Sequence, residues 1–304
     1  MTVLAKTLRL GTRRSALALR QSDLVADVLR GRGHNVDLVE IVTEGDRSTA
    51  ALATMGGTGV FVAELRTRLR GGDVDLAVHS LKDLPTTPAD GLVVAAIPTR
   101  ADARDAVVGA LKPGARVGTG SPRRAAQLRA MQRDLDVVPI RGNVDTRLRK
   151  VADGEYDAIV IAAAGLQRLG RLDEATELLD PDVVLPAPGQ GALAVECRAD
   201  DEALVALLAD VLDHAPTRAA VTAERTVLAE LEAGCSAPVG AFAEPVVDRA
   251  GELSLRAAVV AIDGSRSVKL SITGPLADGA RLGHRLAANL LEAGVASLIG
   301  ESIP

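Results

Sequence analysis

The segment DAIVIAAAG, residues 157–165, is apolar at nearly every position after its first, with no alternation of polar and apolar side chains. Such a run is typical of a strand that is buried on both faces, as in a parallel sheet covered by helices. Segments of alternating pattern precede it along the chain: strand ARVGTG, helix SPRRAAQLRAMQR, strand DVVPIRG and helix NVDTRLRKVADG. This alternation predicts an α/β domain with a parallel or mixed sheet.

The rest of the chain contains another set of this kind and a different last third. Before residue 100 we predict strands at TLRLGTR, VDLVEIVT, 75–80 and 92–99, and helices from Ser15 to about Arg30 and over 60–70. Ser15 is a suitable N-cap for the first helix. After residue 200 the predicted elements are helices over 200–213 and 217–232, strands AFAEPVV, LSLRAAVVAI and SVKLSITG, and a helix over 278–293. This last set predicts a small α+β domain with an antiparallel sheet.

The composition predicts a globular, cytoplasmic protein. The net charge is −5 and only 1% of the residues are aromatic, which argues against binding of nucleic acid by charge or base stacking. No run approaches the ~20 apolar residues that span a membrane, and the opening stretch MTVLAKTLRLGTRRS lacks the apolar region of a signal peptide. The four histidines are scattered and no Cys-x-x-Cys occurs, so the sequence gives no support for a metal site.

The stretch AVHSLKDLP, residues 77–85, places a cation and a carboxylate, Lys82 and Asp83, directly after an apolar strand. Ligands bind at the carboxyl ends of strands in α/β sheets, so the pair is a candidate for chemistry. The alternative is an ordinary turn, since Asp before Leu-Pro is common turn composition. These residues alone leave both interpretations open.

Positive charge is concentrated between residues 116 and 150, where nine Lys and Arg face three Asp. Arg123 and Arg124 follow GTGSP at the predicted start of a helix, Arg141 ends a strand, and Arg13 stands in the similar turn LGTRRS. Guanidinium groups and the free N–H groups of a first helical turn together suit a carboxylate or phosphate. Arginines on helix faces, such as Arg149, are interpreted as solvated.

The two cysteines receive different interpretations. Cys235, in the loop LEAGCSAPVG between a long helix and the first strand of the last domain, is a candidate nucleophile or covalent attachment point. The alternative is an inert thiol. Cys197 alternates within the strand ALAVECR and is predicted to be a buried small hydrophobe.

Seven segments together resemble the porphobilinogen deaminase (hydroxymethylbilane synthase) family. They are LGTRRSALALRQ, VHSLKDLPT, VGTGSPRRAAQL, RGNVDTRLRK, AAAGLQRLG, LPAPGQGALAVECR and ERTVLAELEAGCSAPVG, in the family's order over about residues 8–240. The resemblance implies two periplasmic-binding-protein-like (type II) α/β domains and a C-terminal α+β domain with a three-stranded antiparallel sheet. Their expected bounds are 1–97 plus 193–213, 98–192, and 214–304.

The resemblance also implies the reaction. Four porphobilinogen molecules would be joined head to tail, with loss of ammonia, onto a dipyrromethane cofactor, and hydrolysis would release hydroxymethylbilane. The product would pass to a downstream uroporphyrinogen-forming enzyme. The expected protein is a cytoplasmic monomer that binds neither nucleic acid nor membrane.

By the same resemblance, Asp83 is the catalytic carboxylate that serves in turn as acid, counter-charge and base. The residues that match cofactor-binding positions are Cys235 (the thioether attachment point), Ser80, Lys82, Asp83, Thr119, Ser121, Arg123 and Arg124. Those that match substrate-binding positions are Arg13, Ser15, Phe61, Arg141, Arg147 and Arg168. For Phe61, plain core packing is the alternative.

The chain departs from the family in the glycine-rich loop LATMGGTGVF, which is expected to act as a lid. Thr54 and Thr58 stand there in place of the usual lysines, which weakens the expected hold of this loop on a polyanion. Two other classes of protein remain compatible with the residues themselves. One is a two-lobed anion receptor without catalysis, and the other is an acyl- or phosphoryl-transfer enzyme that uses Cys235 as nucleophile.

Overall fold

A computed structural model describes residues 6–41, 59–131, 134–234 and 237–300, with side chains throughout except at residues 59–61 and 300. The chain divides into two compact units. The first contains the residues up to Arg100 together with Ala192–Thr217, and the second contains Ala101–Gly191 together with the residues from Arg218 onward.

The elements alternate in the first two thirds and then change in kind. The strands are β1 (Leu8–Arg13), β2 (Val36–Ile41), β3 (Leu76–Ser80), β4 (Leu92–Ala96), β5 (Asp105–Gly109), β6 (Arg116–Gly118), β7 (Asp136–Val138), β8 (Ala158–Ala162), β9 (Glu177–Leu178), β10 (Leu193–Arg198), β11 (Val239–Pro245), β12 (Glu252–Val260) and β13 (Ser267–Pro275). The helices are α1 (Ala16–Gly31), α2 (Gly59–Arg70), α3 (Pro122–Ala130), α4 (Val144–Ala152), α5 (Ala163–Arg168), α6 (Glu202–Leu212), α7 (Ala215–Glu230), α8 (Gly279–Glu292) and α9 (Ala296–Gly300).

The first unit is built on a five-stranded mixed sheet of order β2-β1-β3-β10-β4. Strand β1 is parallel to β2 and β3, whereas β10 is antiparallel to β3 and β4. Successive residues of β3 enter different cores because their side chains point to opposite faces. Leu76 packs with Leu29 of α1 and Leu208 of α6, whereas Ala77 packs with Leu65 of α2.

The second unit contains a sheet of corresponding order, β7-β6-β8-β5-β9. Here β6 is parallel to β7 and β8, and β5 is antiparallel to β8 and β9. The apolar run that predicted a buried strand becomes β8, with Ile159 and Val160 in the cores of opposite faces. In each sheet an antiparallel strand lies beside the last of the three parallel strands: β10 lies beside β3, and β5 lies beside β8. The chain enters each of these antiparallel strands from the other unit.

The last part of the second unit is a three-stranded antiparallel sheet of order β11-β12-β13. Its core side is covered by α7 and α8, which contribute Val227 and Leu286 to a cluster with Leu255 of β12. A smaller cluster, containing Ala126 of α3 and Val260 of β12, joins this sheet to the rest of the unit. The predicted fold class, two mixed α/β sheets and a three-stranded antiparallel sheet, is confirmed.

The predicted element bounds differ from the observed ones mainly at strand ends. The strand predicted over 92–99 ends at Ala96, because Ile97 turns its N–H to Asp213 Oδ1 (2.7 Å) and Pro98 follows. The sequence pattern did not single out β5. The predicted N-cap of the first helix is confirmed, since Ser15 Oγ accepts a hydrogen bond from Ala18 N (3.3 Å).

The single tyrosine of the chain packs behind the end of β6. Its ring lies where Gly118 leaves room, since a Cβ at Gly118 would stand 2.8 Å from Cδ1 of Tyr156. The hydroxyl donates to Pro139 O (3.1 Å), and the guanidinium of Arg116 lies 5.4 Å from the ring centroid. Close packing therefore requires glycine at the position that leads into the turn after β6.

Among the described residues, no helix is both long and apolar enough to cross a membrane.

Candidate functional site

The turn after β3 presents the two charged residues that follow the strand. Leu81 N donates to Ala192 O (3.0 Å), and Leu81 and Leu84 are both buried. Lys82 and Asp83 lie between these leucines in a single 3₁₀ turn and are half-buried. The alternation of apolar and charged residues thus anchors the turn while leaving the Asp83 carboxylate partly open to solvent.

A pocket of the first unit opens beside Asp83. Its polar lining consists of Arg13 from the end of β1, Gln21 from α1, and His79, Ser80 and Asp83 from β3 and the following turn. Gln21 Nε2 donates a hydrogen bond to Ser80 Oγ (2.9 Å), and the remaining lining is apolar. Three residues predicted for the site, Arg13, Ser80 and Asp83, therefore border one pocket.

Two other predicted residues of the first unit are not part of the lining. Ser15 holds the start of α1 as its N-cap, so its side chain has a structural function. Lys82 belongs to the 3₁₀ turn beside the pocket. The roles predicted for Ser15 and Lys82 toward substrate and cofactor stay predictions.

A buried ionic cluster lies behind the pocket. Glu196 of β10 is 1% exposed and accepts hydrogen bonds from Arg66 Nε (3.1 Å) and Nη2 (2.9 Å) of α2. His79 Nε2 is 3.2 Å from the second carboxylate oxygen of Glu196. Burial raises the pKa of Glu196, but the contacts with His79 and Arg66 outweigh this effect, and the net pKa is lowered.

In the second unit, the predicted anion-binding turn joins β6 to α3. Thr119 is buried, and its Oγ1 accepts a hydrogen bond from Ser121 N (3.2 Å). Ser121 Oγ in turn caps α3 by accepting from Arg124 N, and Pro122 occupies the first helical turn, as predicted. Thr119 and Ser121 therefore shape the turn through their own hydrogen bonds.

Arg123 and Arg124 are buried, and both pair with a carboxylate that the sequence analysis did not consider. Asp105, fully buried at the start of β5, lies 2.8 Å from Arg123 Nη1 and 2.8 Å from Arg124 Nη2. Burial raises the pKa of Asp105, but the two guanidinium charges outweigh it and hold that pKa well below its usual range. One negative charge thus faces two positive charges, and the cluster retains a net charge of +1.

Two further arginines predicted for the site are half-buried. Burial lowers the pKa of Arg168 to about 10, and burial together with the nearby charge of Arg124 lowers the pKa of Arg147. Arg168 donates to Gly191 O (2.6 Å) and Arg147 to Gly142 O (2.8 Å). Within the described parts of the chain, neither guanidinium pairs with a carboxylate.

Arg141 differs from these arginines because it is exposed. It follows the end of β7, and no acidic residue of the described ranges pairs with it. Arg147 lies near the turn after β6: its Nη2 is 3.9 Å from where a Cβ at Gly120 would stand. The second unit therefore brings Arg124 and Arg147 toward the same turn.

Several residues that were predicted for the site lie outside the part of the chain that the structure describes. Cys235 and the loop positions Thr54 and Thr58 lie outside the described residues, as does the side chain of Phe61. The predicted attachment point, lid and ring contact are therefore not tested. Cys197 is buried in β10 as predicted, and burial raises its pKa to about 11.

Sequence reasoning missed the acidic partners of the cationic residues. Glu196 and Asp105 each stand in an apolar strand, LAVECR and DAVVG. A carboxylate in a strand that is otherwise apolar is a detectable signal, because burial of a charge requires a partner. The identity of the partners, which come from α2 and α3, depends on the tertiary fold.

Comparison with known families matches nearly the whole chain. The family model described as "Porphobilinogen deaminase, dipyromethane cofactor binding domain" matches residues 8–206. The model described as "Porphobilinogen deaminase, C-terminal domain" matches residues 218–292.

Individual relatives are similar over almost their full length. Porphobilinogen deaminase 1 of Streptomyces coelicolor is 58% identical, with 97% of this chain and 98% of that protein covered. Porphobilinogen deaminase of Mycobacterium tuberculosis is 56% identical over 96% of this chain and 98% of that protein. Among solved structures, a nutrient binding protein from Burkholderia cenocepacia bound to methionine is 15% identical, with a TM-score of 0.41 over 66% of this chain and 89% of that one.

Proposed function

The chain belongs to the porphobilinogen deaminase family, and on this basis we propose that Asp83 is the residue at which its chemistry takes place. The protein is a transferase of tetrapyrrole synthesis that joins four porphobilinogen molecules head to tail, with loss of ammonia, on a dipyrromethane cofactor to give hydroxymethylbilane. This assignment excludes the non-catalytic receptor and the acyl- or phosphoryl-transfer enzyme.

The observation that carries the proposal for Asp83 is its position at the pocket of the first unit. The carboxylate borders the pocket together with the guanidinium of Arg13 and the hydroxyl of Ser80. A cation and a hydroxyl suit the acetate and propionate groups of porphobilinogen, while a carboxylate suits the positive charge that develops when the aminomethyl group loses ammonia. The pocket therefore offers both substrate binding and charge stabilisation.

Asp83 handles charge and protons in succession. As ammonia leaves, its negative charge stabilises the cationic pyrrole, and after the new carbon–carbon bond forms it accepts the proton that the coupled ring must lose. A half-buried turn that is anchored by two leucines holds this group in a fixed place. Lys82, next in the chain, binds a carboxylate of substrate or cofactor.

The arginines of the second unit fit a ligand with several carboxylates. The cluster of Asp105, Arg123 and Arg124 has an excess positive charge, and Arg147 and Arg168 lack carboxylate partners among the described residues. A dipyrromethane with its acetate and propionate groups would supply the missing negative charges. When bound, the cofactor supplies the pyrrole ring on which the chain grows.

The remaining roles extend the same proposal. Thr119 and Ser121 hold the turn that meets the cofactor, Arg13, Ser15, Arg141, Arg147 and Arg168 bind substrate carboxylates, and Phe61 packs on a pyrrole ring. Cys235 forms the thioether to the cofactor. The chain folds as three domains, with the bounds expected from the sequence, and works as a cytoplasmic monomer whose product passes to a uroporphyrinogen-forming enzyme.

The test compares Asp83→Asn with Asp90→Asn, an exposed carboxylate of the same unit that does not border the pocket. We expect Asp83→Asn to lower turnover by at least ~100-fold, the scale of a lost acid–base group, with normal thermal stability and normal cofactor mass. Asp90→Asn should match the wild type in all three. Wild-type turnover in Asp83→Asn would refute the proposal.

Attachment of the cofactor is tested separately by intact-protein mass spectrometry. Cys235→Ala should lack the mass of a dipyrromethane, whereas Cys197→Ala should retain it, because Cys197 is buried with a raised pKa. An adduct that persists in Cys235→Ala would assign the attachment to another residue.

A further inference from the structure

His79 borders the catalytic pocket but has no part in the roles assigned so far. It is the residue before Ser80 at the end of β3, is 6% exposed, and lines the pocket together with Asp83. A histidine in such a place is either a core residue with satisfied hydrogen bonds or a participant in proton transfer. The groups around its ring distinguish these possibilities.

The groups behind the ring determine which nitrogen can serve the pocket. Glu196 Oε2 lies 3.2 Å from His79 Nε2. Arg66 donates hydrogen bonds to both oxygens of that carboxylate, which fixes it in place beside the ring. A carboxylate at Nε2 favours the tautomer in which Nε2 carries the hydrogen, and this leaves Nδ1 as the ring nitrogen available to the pocket.

Charged groups lie near the ring both in the pocket and behind it. Arg66 already balances the charge of Glu196, and Arg13 adds a positive charge at the pocket. The charged groups that face His79 are therefore Arg13 and Asp83 in the pocket and Arg66 and Glu196 behind it.

The reaction requires a proton acceptor in every coupling step. Each coupling replaces a ring hydrogen of the growing chain by the methylene carbon of porphobilinogen and expels ammonia. The proton left by that hydrogen cannot stay on Asp83, because a neutral carboxylic acid would no longer stabilise the cation of the next coupling. Asp83 must be deprotonated between successive couplings.

We propose that His79 is the second proton acceptor of this site and that Glu196 is its positioning residue. The ring C–H bond breaks, its electron pair returns to the pyrrole, and the proton goes to the Asp83 carboxylate. It then passes to Nδ1 of His79, which becomes an imidazolium facing Glu196, and is released to water. The inference rests on the proposed role of Asp83 and adds the step that restores it.

Two substitutions of His79 distinguish the function of Nδ1 from that of Nε2. The amide nitrogen of His79→Gln can occupy the place of Nε2 and keep the contact with Glu196, but it leaves no acceptor toward the pocket. The side chain of His79→Asn can place a polar atom near Nδ1 but does not reach Glu196. The first variant therefore removes the proton acceptor, and the second removes its support.

The proposal predicts different effects of His79→Gln and His79→Asn on turnover and on thermal stability. His79→Gln should melt close to the wild type and load cofactor normally, yet turn over about 10- to 100-fold more slowly. Added imidazole should restore part of this rate, since a free base can take the proton. His79→Asn should lose thermal stability more than His79→Gln. Wild-type turnover in His79→Gln, or a loss of turnover that imidazole leaves unchanged, would overturn the proposal.

The tautomer supplies a measurement that does not depend on activity. Long-range ¹H–¹⁵N spectra of the four histidines, with His79→Gln to assign the signal, should show His79 protonated at Nε2 near neutral pH, and Glu196→Gln should perturb that signal. A resting Nδ1–H tautomer contradicts the inference. Failure of the Asp83 assignment would instead appear as full activity in Asp83→Asn with the His79 tautomer unchanged, so the two failures are distinguishable.

Discussion

Asp75 illustrates how a single buried carboxylate links the stability of the first unit to pH. It accepts hydrogen bonds from the backbone N–H of Arg9 (2.9 Å) and from the guanidinium of Arg9 and the ammonium of Lys6. Burial raises its pKa, but these bonds outweigh burial and hold the pKa well below its usual range. The ionised form is therefore the one that stabilises the fold.

This leads to a prediction about acid denaturation. Because the folded-state pKa of Asp75 is depressed, its stabilisation is complete above the unfolded-state pKa of about 3.9 and is lost as the pH falls toward the folded value. Asp75→Asn should lower the free energy of unfolding by about 3 kcal/mol at pH 7, and by less at pH 3, where part of the stabilisation has been lost. Urea titrations at both pH values measure the difference.

The matched control for this prediction is Asp73→Asn. Asp73 pairs with Arg68 on the surface, where both side chains are about half exposed. Exposed pairs contribute little, so the cost should be below about 1 kcal/mol. An equal loss in both variants, or a loss in Asp75→Asn that does not depend on pH, would contradict the role given to Asp75.

Arg141 provides a second prediction at the scale of one residue. It is exposed and has no acidic partner in the described ranges, so Arg141→Gln should leave the melting temperature unchanged. If it binds a substrate carboxylate, its removal should raise KM about 10-fold, the equivalent of one charge-assisted hydrogen bond.

Arg149→Gln is the control for Arg141, since Arg149 is exposed on α4 and has no role in the proposed site. Initial rates of porphobilinogen consumption compare the two. Equal KM values for Arg141→Gln, Arg149→Gln and the wild type would remove Arg141 from the binding residues.

The sequence was sufficient to predict which residues could take part in chemistry, but not which groups balance their charges. Asp83 was identified from its place after an apolar strand, and that strand end borders the pocket. The pairing of Arg123 and Arg124 with Asp105 could not be predicted, because these residues meet only when α3 packs over β5 and β8. Local pattern identifies charged residues, whereas their partners are set by tertiary contacts.

At the scale of elements, the start of α3 combines stability with ligand binding. Ser121 caps this helix, and Asn143 caps α4 in the same way by accepting from Thr146 N (2.9 Å). Replacing either by Ala should cost about 1 kcal/mol of stability. Only Ser121→Ala should also slow acquisition of cofactor, because only this cap belongs to the predicted cofactor turn.

Thermal unfolding and the time course of the cofactor mass measure these two effects separately. If Ser121→Ala and Asn143→Ala acquire cofactor equally fast, the turn after β6 serves stability alone.

Sequence patterns predicted most elements because the apolar periodicity is strong in both α/β sets. They did not single out β5, whose neighbours in the sheet are β8 and β9. Its five residues begin with an aspartate and end with a glycine. This pattern is typical of a loop when the neighbouring strands are unknown. A short strand whose place depends on distant partners lacks a local signal.

At the scale of the whole molecule, the distribution of charge predicts a dependence on salt. The chain carries −5 overall, yet the second unit contains five arginines proposed to bind carboxylates: Arg123, Arg124, Arg141, Arg147 and Arg168. Raising the ionic strength from about 0.05 to 0.2 M shortens the Debye length from roughly 14 to 7 Å. KM for porphobilinogen should rise several-fold while kcat changes little.

The measurement is a KM series in two salts at constant pH, with chloride and acetate compared to detect competition by a carboxylate. A KM that is independent of ionic strength would show that electrostatic attraction contributes little to substrate binding.

The packing of Tyr156 against Gly118 gives the enzyme a built-in optical reporter. With no tryptophan and one tyrosine in the chain, the near-ultraviolet emission of the unloaded protein arises from that single ring. The ring touches the strand that leads into the turn proposed to meet the cofactor. Changes in its fluorescence lifetime would therefore record events at one known location, without labelling.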